Sequence, residues 1–249
     1  MIFKGEDLMN KIQEKVVCKK CNDIGWIYKG NNVYRCECQL YQNPEKLHKA
    51  LNIPKRYYHA TVNNFVKTFP THPIILSKVK EYIYSDEYLE GKGIFFYGKP
   101  GVGKTHLAVG ILKEFYYKRG ICGLFYDTRI LLYDLKSTFD GNNETRILLN
   151  TVIRAPILVL DDLANERLTD WAKDILHYII ISRYNDKLPV IITSNISLEE
   201  EGEEESIEER FGKGIASRLY EMCIPIKVEG EDHRKSSFKE IWKVVDGNE

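Results

Sequence analysis

The sequence predicts an α/β fold, with a parallel sheet of five strands between helices and a small cysteine-bearing module in front. Three observations predict it. From Gly93 onward, short apolar runs alternate with amphipathic stretches of helical period. The first of those runs leads straight into a glycine-rich loop. Four of the six cysteines fall near the N-terminus, where apolar positions are scarce. Alternating strands and helices of this kind bury both faces of a parallel sheet.

The elements follow in order. Residues 74–84 carry helical spacing at Ile75, Val79 and Ile83, in a mixed stretch punctuated by Pro54, Pro70 and Pro73. Ile94-Phe95-Phe96-Tyr97 reads as a buried strand. A helix over 105–118 follows, with Leu107, Ala108, Ile111, Leu112 and Phe115 on one face. Residues 123–127 read as the second strand. Two helical stretches, 129–139 and 144–154, are separated by the turn-forming Asp140-Gly141-Asn142-Asn143. Residues 157–160 form the third strand, and Trp171, Ile175, Tyr178 and Ile179 mark another amphipathic helix. Strands over 190–193 and 224–228 complete the sheet. The expected domains are a module over 1–45, a helical linker over 46–90 and the main α/β domain over 91–249.

A chain of 249 residues can bury one full-sized core beside a small satellite. Its 36 lysines and arginines balance 36 aspartates and glutamates, so any surface that binds a polyanion must be local. No apolar run approaches the length that spans a bilayer, and the N-terminus has no secretory signal pattern. The expectation is a cytoplasmic protein with no membrane partner. In such a compartment structural disulfides are rare.

Gly98-Lys99-Pro100-Gly101-Val102-Gly103-Lys104-Thr105 fits the pattern G-x-x-x-x-G-K-[ST] between a strand and a helix. The glycines let the backbone wrap so that its N–H groups converge on phosphate oxygens. The helix that follows presents its positive end to the same anion. In this pattern Lys104 reaches the β- and γ-phosphates of ATP, and the Thr105 hydroxyl is a ligand for Mg²⁺. Hydrolysis also needs acid at the end of a neighbouring buried strand, and Asp161 and Asp162 directly follow Ile157-Leu158-Val159-Leu160. Asp161 would hold Mg²⁺ through water, and Asp162 would orient or deprotonate the attacking water. Glu166 is the alternative base. The next strand ends in Thr193-Ser194-Asn195, and Asn195 is the candidate for positioning that water beside the γ-phosphate.

Cys18-x-x-Cys21, fourteen intervening residues, and Cys36-x-Cys38 form a set of four thiols suited to tetrahedral Zn²⁺. Trp26, Ile27 and Tyr28 suggest a short hairpin between the pairs, with too little apolar mass to fold without metal. Redox cysteines and two disulfides are the alternatives. His48 is a spare ligand candidate or a surface residue. Cys122 and Cys223 read as small apolar core residues in or beside strands.

Taken together, these motifs resemble the AAA+ ATPases of the DnaC/DnaI helicase-loader and IstB group, most of all a DnaC/DnaI-type loader. The resemblance rests on Gly103-Lys104-Thr105-His106-Leu107-Ala108 and on Leu160-Asp161-Asp162-Leu163 with Glu166 and Trp171. Thr193-Ser194-Asn195, Ile215-Ala216-Ser217-Arg218-Leu219 and Gly230-Glu231-Asp232-His233-Arg234 extend it. His106 belongs to the nucleotide-binding stretch and is shared with replication initiators.

The resemblance implies an ATPase producing ADP and phosphate, active through self-association. It makes Arg218 an arginine finger donated to a neighbour's ATP and Arg234 a sensor within its own subunit. Arg210 competes for the finger role. It implies that the region before the ATPase domain grips a hexameric DnaB-type helicase, for loading onto single-stranded DNA. The helical insert after the second strand would contact that DNA. There Arg129, Lys136, Arg146 and Arg154 interleave with Tyr133 and Phe139, a composition that solvated helix faces and core aromatics also explain. The acidic run from Glu199 to Glu205 reads as a solvated loop that would repel a DNA backbone. The competing functions are an IstB-type transposition accessory ATPase acting on duplex DNA, against which the cysteine set weighs, and a scaffold that binds ATP with little turnover.

Overall fold

A computed structural model describes residues 26–29, 32–35, 44–137, 143–164, 169–199 and 205–235 of the chain. The chain divides into two compact units, Met1–Leu47 and His48–Glu249. In the first, β1 (Trp26–Lys29) pairs antiparallel with β2 (Asn32–Arg35), so that Trp26 faces Arg35 across the hairpin. Cys18, Cys21, Cys36 and Cys38 lie outside the described residues. Helix α1 spans Pro44–Ala50.

The second unit opens with a linker that contains a 3-10 turn, Lys55–Tyr57, followed by α2 (His72–Tyr84). Helix α2 starts two residues before the spacing suggests, because Pro73 suits a first-turn position that needs no N–H. Strand β3 (Gly93–Tyr97) follows, then α3 (Lys104–Arg119) and β4 (Leu124–Asp127). Helices α4 (Thr128–Ser137) and α5 (Asn143–Arg154) form the insert. Next come β5 (Leu158–Leu163), α6 (Asp170–Asn185), β6 (Val190–Ser194), α7 (Ile207–Phe211), α8 (Lys213–Met222) and β7 (Cys223–Lys227).

The five strands of the second unit are parallel and lie in the order β4-β5-β6-β3-β7. The chain leaves β3 through the glycine-rich loop, crosses to the far strand β4, and returns until β6 pairs with β3. The carboxyl ends of β3, β5 and β6 therefore share one edge, where open α/β sheets bind their ligands. Ile94, Phe95 and Phe96 are fully buried in succession, as a strand covered on both faces requires. Phe95, Leu158, Leu160 and Ile192 pack in one core cluster with Leu131 and Leu135 of α4, Leu176 and Ile179 of α6, and Leu219 of α8. The five apolar residues predicted for one face of α3 are all fully buried.

Two expectations are corrected. Cys122 is exposed, because β4 begins at Leu124 and leaves the cysteine in the preceding turn, whereas Cys223 is buried as expected. His48 is not a surface residue: it is buried and stacks on Tyr58, with ring centroids 3.9 Å apart.

A buried cation joins the insert to the sheet. Arg183 of α6 is fully buried and donates to the carbonyls of Val152, Ile153 and Ala155 at 3.1, 2.9 and 2.8 Å. It also donates to Pro189 O at 2.6 Å. A guanidinium thus satisfies carbonyls left open at the C-terminus of α5, where positive charge is favourable. Among the described residues no helix is long and apolar enough to cross a membrane.

Candidate active site

The glycine-rich loop leaves β3 with backbone angles that side chains rarely adopt. Gly101 has φ 82° and Gly103 φ 101°. A Cβ at Gly103 would lie 2.6 Å from the Phe65 ring, and one at Gly101 would lie 1.9 Å from a carboxylate oxygen of Asp232. Loop, linker and C-terminal segment therefore close on each other at these glycines. Val102 is buried beneath the loop.

Lys104, the first residue of α3, is buried. Its ammonium donates to Gly98 O at 2.6 Å, Lys99 O at 2.8 Å and Asn195 Oδ1 at 2.9 Å. Burial pulls its pKa down to about 8, while Asp162 and Asp161 act in the opposite sense.

Asp161 is buried at the end of the regular part of β5. Burial pushes its carboxyl up to about 6, against hydrogen bonds from Thr193 and Thr105; Asp162 and Asp127 add to the rise. The Thr193 hydroxyl donates to Asp161 Oδ1 at 2.6 Å and accepts from the Asp162 N–H at 2.9 Å. The Thr128 hydroxyl donates to the Asp161 carbonyl at 2.9 Å, tying the start of α4 to this strand.

Asp162 adopts φ 59°, in the left-handed region, where the pairing of β5 with β6 slips between Leu160 and Leu163. Such a bulge turns a side chain out of the strand's alternation, and strain of this kind gathers at functional sites. The Asp162 carboxylate meets Asn195 Nδ2 at 3.4 Å and Arg129 Nη2 at 3.5 Å. Asn195 thus touches both Lys104 and Asp162.

These groups line one cleft of about 850 Å³. Of the residues expected from sequence, Pro100, Gly101, Gly103, Lys104, Thr105, His106, Asp161, Asp162, Asn195 and Arg234 line it. His106 meets Thr61 O and Asn64 Oδ1 at 2.9 Å each, so its ring holds the linker against α3. Arg218 does not line the cleft. It lies on α8, donates to Gly214 O at 2.7 Å and sits 5.5 Å from the Tyr184 ring centroid. Arg210 is turned inward, paired with Glu205 at 2.8 Å and bonded to the Ala164 carbonyl. Glu166, Phe139 and most of the acidic run lie outside the described residues.

Sequence reasoning missed the wall built by Arg56, Tyr57, His59, Asn64, Phe65 and Val66, together with Arg129 and His233. The dense polar and aromatic composition of 55–66 was the available signal, but it follows no motif spacing.

Thr105 and Asp161 offer hard oxygen donors lining the same cleft, and a cation beside them would offset the burial that raises Asp161. The donor set fits the Mg²⁺ that accompanies ATP. For Zn²⁺, no group of three or more candidate ligands occurs among the described residues.

The family model for IstB-like ATP binding protein matches residues 36–240. The chain is 27% identical over 216 residues to the replicative helicase loader DnaI of Bacillus subtilis (strain 168), covering 81% of this chain and 68% of that one. It is 27% identical over 187 residues to the putative ATP-binding protein of insertion sequence IS5376 from Geobacillus stearothermophilus, covering 74% and 71% respectively. The crystal structure of a DnaC helicase loader superposes with a TM-score of 0.64 at 38% identity, over 71% of this chain and all of that one. The loop, the acidic strand end and this family match converge on one conclusion: the chain is a P-loop ATPase that belongs to the IstB-like ATP-binding protein family.

Proposed function

We propose that this chain is an ATP-dependent loader of a hexameric DnaB-type replicative helicase onto single-stranded DNA, with hydrolysis coupled to self-assembly and release. The observation that carries the reading is a phosphate cleft joining Lys104, Asp161, Asp162 and Asn195, in a fold matching a DnaC helicase loader.

In this reading Lys104 moves from the loop carbonyls to the β- and γ-phosphates, and Thr105 with Asp161 holds Mg²⁺. When bound, Mg²⁺ supplies charge neutralisation at the β- and γ-oxygens. Asp162 orients or deprotonates the attacking water, and Asn195 holds that water near the γ-phosphate. The left-handed Asp162 backbone and its contacts with Asn195 and Arg129 support this role. Arg234, at the cleft, acts within its own subunit. Arg218, away from the cleft, serves the ATP of a neighbouring subunit, where a guanidinium stabilises charge on the transferring phosphoryl group.

The insert would track single-stranded DNA. Ile130, Tyr133 and Ile147 are exposed apolar residues, and Lys136, Arg146 and Arg154 are exposed cations on the same two helices. Arg129, expected there, instead faces Asp162. The four N-terminal cysteines would hold one Zn²⁺ in a module that grips the helicase. Support comes from their spacing and from the hairpin whose paired ends, Trp26 and Arg35, lie between the cysteine pairs in sequence. The proposed domains are a zinc module over 1–45, a helicase-binding linker over 46–90 and the ATPase domain over 91–249.

A second reading, an accessory ATPase working with a transposase on duplex DNA, is favoured by the similarity to the IS5376 protein. The test combines the chain with a DnaB-type hexamer and single-stranded DNA coated with its binding protein, with and without ATP. ATP-dependent transfer of the hexamer onto the strand is expected. No helicase association, together with ATP-dependent coating of duplex DNA, would transfer the conclusion to the second reading.

A further inference from the structure

His106, Gly110 and Lys113 of α3 hold the linker that walls the cleft. Each lies about one turn from the next, so the three form a single stripe along the helix. Lys113 is buried, and its ammonium donates to Tyr58 O at 2.8 Å, Ala60 O at 2.9 Å and Tyr57 O at 3.3 Å. The three protons of an ammonium thus meet three linker carbonyls, and a buried cation is tolerated where its donors are matched.

One turn earlier, the linker backbone lies directly on Gly110. A Cβ there would come 2.7 Å from Val62 N and 3.0 Å from the carbonyl carbon of Thr61. Glycine inside a helix is destabilising relative to alanine, and here it admits a second backbone. At the start of α3, the His106 ring meets Thr61 O and Asn64 Oδ1 at 2.9 Å each. As the helix runs from His106 to Lys113, its partners therefore run back from Asn64 to Tyr57.

The linker turn is also tied to itself. Asn64 Oδ1 accepts the Thr61 N–H at 2.9 Å, and Asn64 Nδ2 donates to His59 O at 2.8 Å. Ala60 and Val62 are buried, while Arg56, Tyr57, His59 and Asn64 line the cleft. With the phosphates on the glycine-rich loop and the acidic edge beside the γ-phosphate, the linker is the wall left for sugar and base. Tyr57 and His59 offer it ring faces, and Arg56 a cation.

We propose that the stripe of His106, Gly110 and Lys113 positions the nucleoside half of the cleft, with Lys113 as its main anchor. None of the three needs to touch the nucleoside; they hold the backbone whose side chains do. The proposal rests on the reading of the glycine-rich loop as the phosphate end of the cleft. Its signature is a loss confined to ligands that carry a nucleoside.

The test compares ATP with inorganic tripolyphosphate, which has the charge without sugar or base, by calorimetry on the full chain in excess Mg²⁺. Lys113→Met keeps the apolar stem and removes the ammonium. It is expected to weaken ATP binding about 3- to 10-fold and tripolyphosphate binding by less than about twofold, the scale of a lost hydrogen bond felt by one ligand alone. Lys113→Arg should recover part of the ATP loss. Gly110→Ala favours the helix itself but pushes on the linker backbone, so it should give the same split. Equal losses for the two ligands, or unchanged ATP affinity in Lys113→Met, would overturn the proposal. If Lys113→Met does not fold, Gly110→Ala decides by the same criteria. Wild-type chain that binds tripolyphosphate as tightly as ATP would also overturn it. If Lys104→Ala holds tripolyphosphate as tightly as the wild type, the loop reading fails, and the proposal with it.

Discussion

The Thr193 hydroxyl donates a 2.6 Å hydrogen bond to Oδ1 of Asp161. Thr193 Oγ1 in turn accepts the N–H of Asp162 at 2.9 Å, so one side chain on β6 sets both members of the acidic pair on β5. Replacing it with the isosteric Val removes a bond to a charged group, worth about 1.5–3 kcal/mol. Thr193→Val is expected to lower kcat by about 10- to 100-fold while the affinity for ATP changes much less, as steady-state kinetics and a binding titration will show. Wild-type turnover in the variant would mean that the acidic pair keeps its geometry without Thr193.

Asp161 gives a prediction in pH. Its carboxyl rises from an ordinary value of 3.8 to about 6 on folding, chiefly through burial. A group raised on folding favours the folded state fully below about pH 4, and that contribution is lost as pH rises through about 6. Asp161→Asn cannot ionise. Without Mg²⁺ it should be more stable than the wild type by about 1–3 kcal/mol at pH 8, a gain that vanishes near pH 4. Thermal melts across that range check the sign; a variant less stable than the wild type at pH 8 would contradict the role of burial.

Arg218 lies on α8 away from the cleft of its own chain, held near Tyr184. Arg218→Ala is expected to keep ATP affinity and lose stimulated hydrolysis by about 10³-fold or more, the scale of an arginine finger. Mixing it with Lys104→Ala should restore measurable turnover, since the first variant keeps an intact loop and the second an intact finger. Loss of ATP binding by Arg218→Ala alone would refute action between subunits.

The cysteine set predicts about one Zn²⁺ per chain by elemental analysis. Chelation should unfold the N-terminal segment while leaving the nucleotide-binding unit intact, since a module this small draws its folding energy from the metal. A metal-free chain with a protease-resistant N-terminal segment would remove the zinc reading.

The sheet was legible in the sequence because each strand is an apolar run bounded by polar residues, and the carboxyl edge was legible because Asp161, Asp162 and Asn195 follow such runs directly. What escaped were residues whose meaning comes from partners far along the chain. Lys113 looks like any helical lysine until its ammonium meets the carbonyls of Tyr58 and Ala60, 55 and 53 residues away. Arg183 sits in an amphipathic helix with nothing to mark it as buried, yet it caps α5. Arg129 lies in sequence beside the insert's other cations, but α4 starts so close to the end of β5 that its guanidinium turns toward Asp162. Tyr57 precedes the glycine-rich loop by some forty residues and carries no fixed spacing to it. Cys122 shows the limit at an element's edge, where a strand starting at Leu124, one residue later than expected, leaves the cysteine exposed in the preceding turn.

The central claim is that the loop from Gly98 to Thr105 holds the phosphates of ATP through Lys104. The most direct measurement is a calorimetric titration of wild-type chain and Lys104→Ala with ATP in excess Mg²⁺. Saturable binding by the wild type and at least about a 10-fold loss in the variant are expected, the scale of a buried charge-assisted contact. Equal affinity in the two proteins would contradict it.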